Sequence, residues 1–110
     1  MGEVLKQLGQ SAPAAATATT LYTVPASTST VVSTLTVCNQ NSTSKVKVRV
    51  WTPINGAADA AQQYILYDYL VLPNDFLALT LGTSLAAGDT IRVQSDTANV
   101  SFIACGCEVS

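Results

Sequence analysis

At 110 residues the chain has room for one domain, and a domain of that size buries enough surface to hold a real core. Only 11% of its residues are charged, against roughly 25% in ordinary domains, while 48% are hydrophobic. A net charge of −2 and a pI near 4.6 exclude the basic footprint of a nucleic-acid binder, and no run of about 18 apolar residues is present to span a membrane as a helix. Short uncharged Thr, Ser and Ala stand where charge is missing, and such a surface repels copies of itself only weakly. Composition alone therefore points toward life in an assembly.

Residues 1–20 read as a segment of their own. Met1 to Gln10 carries one lysine and lacks the apolar core of a secretion signal, so export by that route is not expected. Val4, Leu5 and Leu8 are isolated apolar residues, and Pro13 with the following threonines opposes a helix through the alanine run. The expectation is an extended N-terminal arm ahead of one domain over 21–110. The arm is either a loose terminus or a strap laid on a neighbouring subunit through Val4, Leu5 and Leu8.

From Leu21 onward the hydrophobic period is two. Leu21 to Val24 forms a short strand ended by Pro25, and Thr30 to Asn39 a β-branched strand with Val31, Leu35 and Val37 on one face. Lys45 to Thr52 alternates most cleanly: Val46, Val48 and Val50 point one way, Lys45, Lys47, Arg49 and Trp51 the other. A slip of one residue there would bury cations, so its register is strongly specified. Pro53 to Ala61 reads as a loop around Asn55-Gly56, and Gln62 to Val71 as a tyrosine-rich strand. Phe76 to Leu81 follows, broken by Gly82, then Thr90 to Ser95, and finally Asn99 to Val109 with Val100, Phe102 and Ala104 on one face. Seven or eight short strands with no convincing helix predict an all-β chain, an antiparallel β-sandwich of jelly-roll or Greek-key type.

Chemistry is sparse. With no histidine, the commonest general base and metal ligand is missing, and neither a Ser-His-Asp nor a Cys-His arrangement fits in one chain. Cys105-Gly106-Cys107 with Cys38 falls short of the four ligands zinc requires. The three cysteines read as small buried residues, with pairing between subunits as the alternative. Asp68 lies within a strand and needs a partner if buried; Arg49 and Arg92 are the candidates by charge. No catalytic residue, cofactor or metal site is expected, and so no enzyme. Strands 62–71 and 99–109 are apolar or aromatic on both faces, whereas a two-layer sandwich buries one. Trp51, Tyr67, Tyr69 and Ile103 are therefore candidate interface residues, unless a loop covers them.

The succession Leu21-Tyr-Thr-Val-Pro-Ala26, Val31-Val-Ser-Thr-Leu-Thr-Val-Cys-Asn39, Gly56-Ala-Ala-Asp59 and Leu85-Ala-Ala-Gly-Asp-Thr-Ile-Arg-Val93 resembles small β-sandwich accessory proteins of tailed-bacteriophage virions. The resemblance covers roughly residues 10–110 and rests on strand-and-turn patterns. It implies a non-enzymatic virion component present in many copies and assembled in the bacterial host cytoplasm. A capsid cement or decoration protein is the leading expectation, a homo-oligomer (a trimer as first guess) contacting the major capsid protein or other virion proteins, with no nucleic-acid or membrane partner. A neck, tail, baseplate or fibre component is the runner-up. A receptor- or carbohydrate-binding module at a fibre tip, with Trp51, Tyr67 and Tyr69 stacking on sugar rings, is the third reading.

Overall fold

A computed structural model describes residues 2–110. Eight strands follow in chain order: β1 (Glu3–Ser11), β2 (Thr19–Thr23), β3 (Ser29–Asn39), β4 (Val46–Trp51), β5 (Tyr64–Val71), β6 (Phe76–Leu85), β7 (Thr90–Ser95) and β8 (Val100–Val109). A single 3₁₀ turn, Ala61–Gln63, precedes β5. Sheet A has the order β1-β8-β3-β6 and sheet B the order β2-β7-β4-β5, every pair antiparallel. First pairs with last, second with seventh, third with sixth and fourth with fifth. That nesting is one long hairpin rolled onto itself, the jelly-roll form of the β-sandwich.

The alternation read from sequence places the core. Leu35, Val37, Val100, Phe102 and Ala104 from sheet A meet Val46, Val48, Val50, Ile91 and Val93 from sheet B, all fully buried. Each such side chain contributes roughly 1.5–3 kcal/mol by leaving water. Leu77, Leu79 and Leu81 of β6 pack against this core from the margin, only partly covered.

Within the stretch 1–20, expected as an arm, Glu3–Ser11 pairs along β8 and β2 begins at Thr19, so these residues belong to the sandwich; Met1 lies outside the described residues. The pairing hides from a pattern search because an edge strand buries so little. Only Leu8, Gly9 and Ser11 of β1 are even partly covered. Gly82 likewise does not break β6. At φ 66° it bulges the strand, so that Leu81 and Gly82 lie opposite Ser33 of β3.

Against β8, Ser33 of β3 is itself an inserted residue, and this second bulge re-aims side chains. Across it Val32, Leu35 and Val37 face the core while Val31 turns outward, so Val31 does not share the buried face expected for it. Gly106 of β8 makes the bulge possible. A Cβ there would stand 2.1 Å from the Val31 carbonyl oxygen, a backbone atom that cannot swing aside.

At the β1–β2 side a polar cluster ties the sheets together. Tyr22 of β2 donates its hydroxyl to Glu108 of β8, while Thr30 of β3 bonds the same phenolic oxygen at 2.9 Å. Lys6 of β1 pairs with the other Glu108 oxygen at 3.2 Å. The Tyr22 hydrogen bond, and then Lys6, hold the Glu108 carboxyl below its ordinary range. Burial, and then the bond to Glu108, push the Tyr22 phenol up to about 12.

Gly106→Ala forces a methyl onto backbone and lowers unfolding free energy by about 1–3 kcal/mol in urea titrations. The cluster also gives stability two pH limbs. A carboxyl whose pKa is lowered on folding stabilises above its unfolded value, so melting temperature falls as pH drops through ~4.3. A phenol whose pKa is raised stabilises below its unfolded value, so melting temperature falls again as pH rises from ~10 toward 12. Tyr22→Phe flattens the alkaline limb and Glu108→Gln makes the acid limb shallower.

Candidate assembly surface

The two outer sheet faces differ in chemistry. On sheet A the register aligns Leu5, Cys107, Val31 and Ser84 in one row, Gln7, Cys105, Thr34 and Thr80 in the next, and Gln10, Ile103, Thr36 and Ala78 in a third. Phe76, Cys38 and Ser101 form a fourth. None of these side chains is charged. Leu5 is 84% exposed and Phe76 65%. An outer face of a solvated antiparallel sheet is ordinarily polar and charged; here Glu3 stands in the end row with Val109 and Ser29, and the four rows beyond it carry no charge. The three cysteines all lie here, partly buried and unpaired.

Sheet B turns charge and aromatic rings to its outer side. Trp51 lies between its cross-strand partners Arg92 and Tyr64. Its ring centroid is 5.3 Å from that of Tyr64, which meets Tyr67 edge-on at 4.9 Å. The Arg92 guanidinium stands 5.8 Å from the Trp51 ring and that of Arg49 4.3 Å from the Tyr67 ring. Each arginine is also paired with a carboxylate, Arg92 with Asp59 at 3.1 Å and Arg49 with Asp68 at 2.6 Å. The result is a ladder, cation at both ends and three rings between.

Trp51 itself is 1% exposed. Asp59, from the connection between β4 and β5, accepts its indole N–H at 2.7 Å. The connection is anchored in turn by Asp89, whose carboxylate accepts the Asn55 N–H, and by the Thr90 N–H on the Pro53 carbonyl. The covering loop, weighed above as the alternative to an interface, accounts for Trp51.

Asp68 finds the partner expected for it. Arg49 donates from Nε and Nη2 to its two oxygens, holding its carboxyl below the ordinary range. The position is exposed, however, and has φ 53°. Tyr67 and Asp68 together oppose Arg49, a bulge that ends the simple alternation of β5. Tyr67 stays beside Arg49 on the outer side, whereas Tyr69 pairs with core-facing Val48 and emerges at the open margin.

The remaining candidates divide between surfaces. Leu5 and Ile103 belong to the uncharged rows on the outer face of sheet A. Val4 shares the inward row of Glu108 and Thr30, and Leu8 sits in the β1 bulge against the core. Sequence reading missed Leu70, Leu72 and Phe76, which with Tyr69 form an exposed apolar cluster around the β5–β6 turn. Their run of apolar residues on both sides of Pro73-Asn74-Asp75 was the available signal.

Among the described residues, no group of three His, Cys, Asp or Glu side chains gathers as a metal site. No helix among them is long and apolar enough to cross a membrane.

No family model matches the chain, and no curated protein matches it. Among solved structures it is similar to one described as a pentameric capsid protein isolated from metagenomic phage sequences, with 19% identity and a TM-score of 0.43. The match covers 91% of this chain and 59% of that one, so this chain spans about three fifths of that protein's length.

Because Trp51 is a packed residue, Trp51→Ala lowers unfolding free energy by about 3–5 kcal/mol. The fluorescence of this single tryptophan shifts to the red on unfolding in guanidinium, which reads the burial directly.

Proposed function

We propose that this chain is a non-enzymatic structural subunit of a phage virion, a capsid cement or decoration protein held on the head through homo-oligomeric and shell contacts. The outer face of sheet A, free of charge in its four rows beyond Glu3, carries this reading. The four rows from Leu5 to Phe76, with Val31 and Ile103 set among Thr, Ser, Ala, Gln and Cys, desolvate at little cost, because no ion within them has to be stripped of water. Sheet B offers the opposite chemistry, with Lys47, Arg49, Asp68 and Arg92 on its outer side. A cement subunit needs that asymmetry: one face toward protein, one toward solvent. The strand-and-turn resemblance to phage accessory proteins supports the same assignment.

A neck, tail, baseplate or fibre position uses the same surface and differs in copy number. A second reading, a receptor- or carbohydrate-binding module, rests on a shallow polar trough of about 300 Å³ lined by Lys47, Arg49, Asp68, Gln94 and Asp96, next to exposed Tyr67. Trp51 takes no part in it, being covered.

Quantitative mass spectrometry of purified particles tests the assignment. The chain is expected in virions at a copy number matching the shell subunits; a number matching one small ring moves it to the neck or tail. Leu5→Lys and Ile103→Lys, both outward, are expected to leave melting temperature within a few degrees and to abolish incorporation. Absence of the chain from particles overturns the proposal. Binding on a glycan array that Tyr67→Ala removes favours the second reading.

A further inference from the structure

Jelly-roll sheets expose four edges, and three of them here are guarded. β1 carries Glu3 and Lys6 and is bulged at Leu8. β2 is only five residues long and irregular between Thr20 and Tyr22. β5 is bulged at Tyr67-Asp68 and presents the Asp68 charge. Charges, bulges and shortness are the devices by which sheet edges avoid pairing with other chains. β6 is different. Its ten residues, FLALTLGTSL, contain no charge and no proline, and from Phe76 to Thr80 its register against β3 is unbroken. Only beyond Thr80 does the Leu81-Gly82 bulge bend it.

We infer that the Phe76–Thr80 edge of β6 is a homotypic docking edge, at which a second copy of this chain adds its own β6 antiparallel across a two-fold axis. This rests on the assembly reading above and names its subunit contact. The unpaired N–H and C=O groups of an edge specify a β-strand as the occupant. Charge and regularity together decide which strand: β2 is uncharged but short and irregular between Thr20 and Tyr22. β1 and β5 would bring Lys6, Glu3 or Asp68 against an uncharged edge, whereas β6 brings none. The unbulged run is centred on Ala78, so a two-fold there sets Ala78 opposite its own copy, Leu77 opposite the copy's Leu79 and Phe76 opposite its Thr80. Each pairing answers an existing exposure. Leu77 and Leu79 lie at the core margin only partly covered, and Phe76 stands largely in solvent. The small Ala78 lets the two strands meet at the axis without a side-chain clash.

A charge swap at the axis tests this. By light scattering the full chain is expected at twice 11.4 kDa, and Ala78→Lys and Ala78→Asp each at the monomer mass, because like charges directly opposite one another repel. An equal mixture of the two variants is expected to recover the dimer. Ala78 points outward on the sheet, and far-UV circular dichroism confirms that each variant is folded. Hydrogen exchange on the unaltered protein supplies a second reading: β6 amides gain protection as concentration rises, while β1 amides do not. A monomer at all concentrations overturns the inference, as does an oligomer that both variants leave intact or a mixture that stays monomeric. An oligomer that survives both variants, with the chain still found in particles, rejects this edge and leaves the virion assignment standing.

Discussion

β8 is the strand on which the rest of the molecule depends. It pairs with β1 on one side and β3 on the other, so the last strand of the chain closes on the first and joins both to the core. Its inward residues Val100, Phe102 and Ala104 are fully buried, and Gly106 continues the same row where the β3 backbone comes too close for any side chain. Toward its end, Glu108 gathers Lys6 from β1, Thr30 from β3 through Tyr22, and Tyr22 itself from the opposite sheet. One strand thus supplies apolar burial, backbone closeness and a polar tie between layers. Without it β1 has no partner and β3 keeps only β6.

Much of this was legible in the residues, and the physical reason is simple. A strand with one buried face must alternate, so Val46, Val48 and Val50, or Val100, Phe102 and Ala104, declare both their strand and their inward side. What alternation does not report is an inserted residue. At Ser33 one extra residue turns Val31 out and Val32 in; at Tyr67-Asp68 another places two residues against Arg49. β1 was illegible for a different reason. An edge strand with one neighbour and little burial has no need of an apolar pattern, and its pairing with β8 spans nearly the whole chain length.

Trp51 shows the limit of inferring surface from pattern. It stands on the charged side of β4, where Lys47 and Arg49 do face solvent, and a periodic argument assigns all of them alike. The connection from Thr52 to Ala60 overrides that. Asp59 fixes the indole N–H, Arg92 bridges indole and carboxylate, and Asp89 pins the loop from beneath. Burial here is created by a loop whose path depends on a handful of carboxylate contacts, none of which a hydrophobic period encodes.

The shortage of charge acquires a clearer meaning once each charged group has a place. Six of the twelve charged side chains form ion pairs, Lys6 with Glu108, Arg49 with Asp68 and Arg92 with Asp59. Asp75, Asp89 and Asp96 accept backbone N–H groups at turns or strand ends. Nine of the twelve charges are thereby committed to holding a loop, a bulge or a strand end. They are also placed unevenly, concentrated on the outer side of sheet B and in the turns, reduced to Glu3 at the end row of sheet A's outer face, and absent from the whole of β6. Surface ion pairs contribute little to stability, about 0–1 kcal/mol each, so this distribution is poorly explained as a means of strengthening the fold. It is well explained as partition: charge is kept where water remains and withheld where other protein has to come.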